Sequence, residues 1–288
     1  MRDTLVGALR KAPLPVVKPV INRRIRRAQA DPVLRRTARN QMEFVVGAAK
    51  PDADLDDLAL KHIEQVIWRR ELRYRPELLI KQQVHGVENT EVRGPHGGVI
   101  ITGFHHARFD GACGAMKNAG ITGLKVAGNP EFFVEPMEPH VAAHKHVVQL
   151  GAEMVDVSLG FRGLQEVIAQ NPFVWAFDMP GNTKVQFLGR TLGVSSAIAR
   201  IAIGAQVPVV CVGQHQVGEW QQEIRLAPPI MPGDHENPAS LLQAIMDNIE
   251  PSILEWPEAY DWPRPKFTQY DAEGNKVEYE RDPGEPEH

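Results

Sequence analysis

The chain has 288 residues, 43% of them hydrophobic, and a formal net charge of -4 at pH 7. A chain of this length can bury a large core, and we expect one folded domain. The two cysteines, Cys113 and Cys211, lie far apart in apolar segments, which argues against a disulfide framework and a thiolate zinc site. The sequence shows neither a signal peptide nor a membrane-spanning run, so we expect a soluble or peripheral protein of a reducing compartment.

Charge is distributed unevenly along the chain. Residues 1–45 carry 11 Lys or Arg against 3 Asp or Glu, whereas residues 233–288 carry 4 against 14. Arginines alternate with apolar residues in the basic end, a pattern that suits an anionic membrane surface. Two alternatives stay open: a nucleic-acid partner, which the lack of aromatic residues for stacking between Arg23 and Arg39 disfavours, and a solvated arm that binds nothing.

These observations divide the chain into three parts. We expect a basic arm that contacts the membrane surface over residues 1–45, a folded domain over 46–268 and an acidic, flexible tail over 269–288. The arm contains four prolines and therefore predicts short, broken helices, with one helix from about Val33 to Phe44 that starts at Asp31 and Pro32. The prolines are Pro13, Pro15, Pro19 and Pro32.

The folded domain begins with a predicted helix over residues 52–75. Its apolar residues recur at helical spacing, and its C-terminal end is rich in arginine, where the helix dipole favours cations. These arginines are Arg69, Arg70, Arg73 and Arg75.

The next feature, residues 97–120, predicts a buried strand, a polar loop and a helix. The run from Val99 to Thr102 is β-branched and bounded by glycines, while Ala112 and Met116 give the following segment helical spacing. The loop between them holds His105 and Asp110. Because ligand crevices in open α/β sheets form at the carboxyl ends of strands, this loop is the first candidate site.

The pair His105 and Asp110, in an H-x-x-x-x-D spacing, suits general-base chemistry. A carboxylate that holds one imidazole nitrogen fixes the tautomer and stabilises the imidazolium formed when the other nitrogen takes a proton from a substrate hydroxyl. The structural alternative is that Asp110 caps the helix and His105 is a hydrogen-bonded loop residue. His106 is one residue out of register and is interpreted as a neighbour in the pocket.

Beyond this loop, strands and helices alternate. The alternation predicts an α/β fold with a central, mostly parallel sheet flanked by helices. Strands are expected at 123–127, 151–157, 173–177, 185–189 and 207–212, and helices at 161–170 and 195–203.

Two further groups suggest other chemistries. His140 and His144 would share a helical face, with His146 nearby, but the segment has no H-E-x-x-H motif and no unambiguous further ligand, so we expect no metal. Ser195 lies in GVSSA, which lacks the full G-x-S-x-G elbow, so Ser195 or Ser196 is interpreted as a helix N-cap.

Three blocks in this order resemble the bacterial lipid A lauroyl-type and phosphatidylinositol mannoside acyltransferases, which belong to the lysophospholipid acyltransferase superfamily. The blocks are the strand with HHARFD, the segment VQFLGRTLGVSSAIARIAIGAQVPVVCV and the segment PEAYDWPRPKF. The resemblance extends from about residue 60 to 267. It implies a lysophospholipid acyltransferase-like fold, an acyltransferase domain over 46–268, His105 as general base and Asp110 as its orienting partner.

The same resemblance implies transfer of a fatty acyl group from acyl-CoA or acyl carrier protein to a hydroxyl of a membrane lipid or glycolipid. No further cofactor, metal or nucleic acid is expected, and we expect a cytoplasmic protein that is peripheral on the inner face of the cell membrane. The residues that correspond to the pocket are His106, Arg108, Asp178, Gly189 and Arg190. The family's arginine after the first block has no clear counterpart, because no arginine occurs between Arg108 and Arg162, and Arg108 and Lys145 are the alternatives for its place.

Two other functions are compatible with the sequence. A metal-dependent or serine hydrolase acting on lipids would use the histidine cluster or Ser195. A membrane-binding module of the same fold would have lost turnover.

Overall fold

The computed structural model describes residues 12–218, 221–283 and 285. The remaining residues of the predicted basic arm and acidic tail, 1–11, 284 and 286–288, lie outside this range. The helices are α1 Leu14–Ala30, α2 Pro32–Val46, α3 Leu55–Leu72, α4 Pro76–Leu79, α5 Ala112–Asn118, α6 Pro139–Gln149, α7 Gly160–Gln170, α8 Ala197–Ala205 and α9 Pro238–Glu255. The strands are β1 Gln83–His85, β2 Val99–Gly103, β3 Lys125–Gly128, β4 Glu153–Asp156, β5 Pro172–Ala176, β6 Pro180–Phe187, β7 Arg190–Val194, β8 Val209–Gly218, β9 Gln221–Leu226, β10 Thr268–Tyr270 and β11 Lys276–Val277.

A seven-stranded sheet in the order β1-β9-β8-β2-β5-β3-β4 forms the centre of the fold. The five strands from β8 to β4 are parallel, whereas β9 is antiparallel to β8. Successive residues of β2 enter different cores: Ile100 packs with α7, α8 and α9, and Val99 and Ile101 pack with α5. Burial on both faces explains the continuous apolar run of this strand. The prediction of an α/β fold with a mostly parallel sheet flanked by helices is confirmed.

A smaller antiparallel sheet, in the order β11-β10-β7-β6, lies beside the main one. Its β6–β7 turn places Leu188 and Gly189 at φ +55° and +70°. Two consecutive left-handed residues are typical of a tight hairpin turn, in which glycine carries no steric penalty. The predicted strand at 185–189 therefore consists of the end of β6 and the turn that follows it. After the turn, β7 pairs with β6 before α8 begins.

The basic arm is more regular than its prolines predict, because α1 continues through Pro19. Val17, Ile21 and Ile25 recur at a spacing of four and are buried against α3. The burial of this face offsets the loss of one backbone hydrogen bond at the proline. The helix α2 starts where expected, since the Asp31 carboxylate accepts hydrogen bonds from the first free N–H groups.

The described part of the acidic tail makes contacts with the domain. The strand β10 pairs with β7. Thr37 donates a hydrogen bond to the carbonyl of Pro283 at 3.1 Å, and Asp282 forms an ion pair with Arg264 at 2.7 Å. In the part of the chain that the structure describes, no helix has both the length and the apolarity to cross a bilayer.

Candidate active site

His105 lies at the carboxyl end of β2 and is held there by Asp178, which follows the neighbouring strand β5. The last residues of these strands, Gly103 and Ala176, are paired in the sheet, and each site residue comes two positions later. Nδ1 of His105 lies 2.5 Å from Oδ1 of Asp178, and the backbone N–H of His105 donates to Oδ2 at 3.2 Å. The sheet register therefore fixes both the position and the orientation of the imidazole.

Lys266 is the second partner of Asp178. Its Nζ donates to Oδ2 of Asp178 at 2.9 Å, and the Asp178 side chain has no exposed surface. Burial alone would raise the pKa of Asp178, but the charges and hydrogen bonds of His105 and Lys266 hold it below its usual range. Asp178 is therefore a carboxylate at neutral pH and orients the Nδ1–H tautomer of His105.

The other ring nitrogen of His105 is available for chemistry. Nε2 has no hydrogen-bond partner among the described residues, and the side chain is 34% exposed. The ring of Phe109 stands edge-on to the imidazole with 4.5 Å between centroids. An imidazole with Nδ1–H held by a carboxylate and Nε2 open can accept a proton from a bound hydroxyl.

His105 and Asp178 line a cleft of about 1160 Å³ at the carboxyl edge of the main sheet. Ligand crevices of open α/β sheets form at this edge. The walls of the cleft are mainly apolar and come from both cores. The apolar lining includes Ile101, Cys113, Met116, Val148, Met154, Leu164, Val174 and Ile201.

Asp110, the orienting partner expected from the sequence, makes other contacts. Its Oδ1 lies 3.2 Å from the guanidinium of Arg73 and 3.2 Å from Nδ1 of His144. Burial would raise the pKa of Asp110, but the charges of Arg73, His144 and Arg69 lower it. The loop that follows β2 turns this carboxylate towards Arg73 and His144, so Asp178 is the aspartate that contacts the His105 imidazole.

Two arginines at the end of α3 belong to the site, although sequence reasoning assigned them to the helix dipole. Arg73 lines the cleft, and Arg69 forms an ion pair with Asp261 at 2.6 Å. Their i, i+4 spacing places both on one helical face, a signal that the sequence did contain. They neutralise the buried carboxylates beside His105.

Of the five residues that the resemblance placed in the pocket, Asp178 lines the cleft and the other four are absent from its described lining. His106 is 3% exposed, and its Nε2 donates to the carbonyl of Trp256 at 2.9 Å. Burial lowers the pKa of His106 to about 4, so it is a neutral core histidine. Arg108 lines a separate small cavity beside α3, together with Arg69 and Trp68.

Gly189 and Arg190 lie at the β6–β7 turn, which also falls outside the lining of the cleft among the described residues. The Arg190 guanidinium donates to the carbonyls of Glu43 at 3.2 Å and Phe44 at 3.4 Å. These carbonyls are in the last turn of α2, and that of Glu43 also accepts a hydrogen bond from the N–H of Gly47. Arg190 thus ties the small sheet to α2.

The described residues do not form a metal site, and Ser195 and Cys113 lack the partners or the pKa of a nucleophile. Within the described residues, no cluster of three or more His, Cys, Asp or Glu side chains could hold a metal ion. Ser195 lines the cleft, and its hydroxyl accepts a hydrogen bond from the N–H of Ala197; no histidine hydrogen bonds to it in the described part of the chain. Cys113 also lines the cleft, but burial raises the pKa of its thiol to about 12, which disfavours a thiolate nucleophile.

No protein-family model matches the sequence, and no curated protein matches it. Among solved structures, the chain is similar to the crystal structure of the 1-acyl-sn-glycerophosphate (LPA) acyltransferase, PlsC, from Thermotoga maritima. The two are 12% identical with a TM-score of 0.43, and the match covers 70% of this chain and 83% of that chain. The function proposed below is supported by the cleft and its histidine, independently of this similarity.

Proposed function

We propose that the protein is an acyltransferase that moves a fatty acyl group from an acyl thioester to a hydroxyl of a membrane lipid or glycolipid. The observation that carries the proposal is the imidazole of His105, which lines a large, mainly apolar cleft. Asp178 holds its Nδ1, and its Nε2 has no hydrogen-bond partner among the described residues. This arrangement combines a base for a hydroxyl proton with a space for a hydrocarbon chain.

In the proposed reaction, the oxygen of the acceptor hydroxyl attacks the thioester carbon while Nε2 of His105 takes the proton of that hydroxyl. The new C–O bond gives a tetrahedral oxyanion, and the imidazolium is stabilised by Asp178. Collapse of the oxyanion breaks the C–S bond, and the thiolate takes the proton back from His105. The products are an ester and a free thiol, and no acyl group is bound to the enzyme.

Asp178 takes the role that the H-x-x-x-x-D spacing gave to Asp110. The short contact to Nδ1 and the second contact to the His105 backbone support this assignment. Lys266 acts through Asp178 and is a positioning residue, since its ammonium holds Oδ2 while Oδ1 faces the ring.

The apolar part of the cleft suits the acyl chain. Each buried CH₂ group contributes about 0.8 kcal/mol to binding. Binding energy from this remote part of the substrate can hold the thioester carbon in place beside His105. Acyl-CoA and acyl carrier protein both present such a thioester, and either is a proposed donor.

The outer face of α1 supports contact with an anionic membrane surface. Val16, Val20, Arg23 and Arg27 are exposed and follow one another at spacings of three and four, so they share one side of the helix. Apolar side chains beside arginines suit the headgroup region of anionic lipids. We propose peripheral attachment through this face, on the cytoplasmic side of the cell membrane.

The test is an acyl-transfer assay with purified protein. Lauroyl-CoA and palmitoyl-CoA are offered with a panel of lysophospholipid, monoacylglycerol and glycolipid acceptors, and both thiol release and the acylated product are measured. His105→Ala should lower the rate by about 10²- to 10⁴-fold because the general base is lost.

The matched control is His96→Ala, which removes an exposed histidine outside the described lining of the cleft and should keep the wild-type rate. Unchanged transfer by a folded His105→Ala variant would contradict the proposal. Thiol release that yields free fatty acid with every acceptor would identify water as the acyl acceptor and indicate a hydrolase.

A further inference from the structure

The cleft contains a second histidine–aspartate pair besides the one assigned to the base. His144, on α6, lines the cleft, and its Nδ1 lies 3.2 Å from Oδ1 of Asp110. Phe109 lies between the two histidines: its ring centroid is 4.5 Å from that of His105 and 6.1 Å from that of His144. Both imidazoles therefore line the cleft and contact the same aromatic ring.

The Asp110 carboxylate, 3.2 Å from Nδ1 of His144, favours a proton on that nitrogen. The carboxylate is fully buried and is paired with Arg73, so it stays ionised. A neutral imidazole beside a carboxylate places its N–H towards that carboxylate, which leaves the other nitrogen as a hydrogen-bond acceptor. Burial is the main cause that lowers the pKa of His144 to about 4, and nearby arginines contribute, so the ring is neutral at pH 7.

The free nitrogen of His144 needs a donor from the substrate. Among the described residues, its Nε2 has no hydrogen-bond partner, and its ring packs against Phe132 and Phe109. The thioester group of the donor substrate contains only acceptors, its carbonyl oxygen and its sulfur. A hydroxyl of the acceptor substrate can supply the donor.

We propose that His144 binds the acceptor through a second hydroxyl next to the one that His105 deprotonates. This inference rests on the proposed function and deepens it: the acceptor class is a polyol, such as a glycerol or sugar headgroup, rather than a monohydroxy alcohol. Asp110 is the positioning residue that keeps Nε2 of His144 unprotonated.

Two acceptors that differ by one hydroxyl test the inference. 1-Lauroylglycerol has two free hydroxyls, and the 1-lauroyl ester of 1,2-propanediol has only the central one. With lauroyl-CoA as donor, the wild type should prefer the diol by about tenfold in kcat/KM for transfer to the central hydroxyl, as one hydrogen bond provides. His144→Phe, which can pack against the same aromatic rings, should treat both acceptors alike.

Three further variants complete the test. His146→Ala, an exposed histidine on the same helix, should keep the preference, and His144→Gln should restore part of it because its amide oxygen is an acceptor. Circular dichroism checks the fold of each variant. A His144→Phe variant that retains the tenfold preference would overturn the inference.

Equilibrium binding of the two esters in detergent micelles separates this inference from the proposed function. The wild type and His105→Ala should both bind the diol about tenfold more tightly than the deoxy ester, because this contact does not need the base. Equal binding of the two esters by the wild type would overturn the role of His144. Unchanged turnover by His105→Ala with the binding preference intact would overturn the proposed function alone.

Discussion

The two histidine–aspartate pairs of the cleft differ in how the fold assembles them and in what surrounds the carboxylate. Asp178 lies 73 residues after His105, and adjacent parallel strands bring the two together. Asp110 is only five positions from His105 but contacts α3 and α6. One lysine supports Asp178, whereas two arginines face Asp110. Proximity along the chain therefore does not decide which carboxylate contacts His105; the direction of the loop and the register of the sheet do.

Neutralising each carboxylate in turn tests which of the two orients His105 and should give the largest effect. Asp178→Asn should lower the transfer rate by about 10²- to 10⁴-fold, because the amide no longer stabilises the imidazolium of His105. Asp110→Asn should lower the rate per folded molecule by only about tenfold, through loss of the acceptor contact. Both rates come from the lauroyl-CoA assay with 1-lauroylglycerol. A larger rate loss for Asp110→Asn than for Asp178→Asn would return the orienting role to Asp110.

Removal of the Arg73 charge tests how much this cation stabilises the buried Asp110 carboxylate. Arg73→Met leaves Asp110 with less compensation in the core and should lower the free energy of unfolding by about 3–5 kcal/mol. The main effect of the change should be on the free energy of unfolding, and the rate per folded molecule should change little. Urea unfolding followed by circular dichroism measures the first, and the transfer assay measures the second. A stable but inactive Arg73→Met variant would place Arg73 in the chemistry.

Lys266→Met should shift acid unfolding. The folded-state pKa of Asp178 lies below its unfolded value, so this carboxylate stabilises the fold above the unfolded pKa of about 3.9, and that stability is lost as the pH falls. Lys266 helps to lower this pKa, so its removal should raise the pH at which the protein unfolds. Acid titration followed by tryptophan fluorescence tests this, with Lys276→Met as an exposed control. An unchanged midpoint would contradict the coupling between Lys266 and Asp178.

The smallest effect is expected for Arg190, which belongs to neither histidine–aspartate pair. Arg190→Ala removes two hydrogen bonds to the end of α2 and should lower the free energy of unfolding by about 1–2 kcal/mol. The rate per folded molecule should stay at the wild-type value, since Arg190 is not among the described residues that line the cleft. A raised KM for either substrate would instead support the pocket role that the resemblance implied.

Local patterns in the sequence predict much of the main sheet. The β-branched run of β2, the stripe of α3 and the alternation through β5, α7 and β8 depend on contacts that each segment makes with the core, so their periodicity is visible in the chain. The carboxyl-end location of His105 follows from the same pattern. Both His105 and Asp178 were selected from the sequence, but not as partners, because the register of β2 against β5 is a long-range property.

Other elements were missed for different reasons. The helix α9 has a capping box at Asn237 and Ser240 and a proline at its start, and these local signals are visible in the sequence. The helix α1 was broken at Pro19 in the prediction because the burial of Val17, Ile21 and Ile25 depends on α3. The contacts of Arg69 and Arg73 were missed because a helix-end arginine looks the same whether it faces solvent or a buried carboxylate.

His105 and Asp178 are each two positions beyond the paired residues Gly103 and Ala176, so the proposed base and the proposed acceptor contact are carried by different parts of the fold. The hydrogen-bonded ladder between the two strands carries the first pair, and α6, which lies in the connection between them, carries His144. We expect that α6 can be exchanged for other helices of the same length without disturbing the His105–Asp178 contact. A set of such chimeras would share one base and differ in the head groups that they acylate.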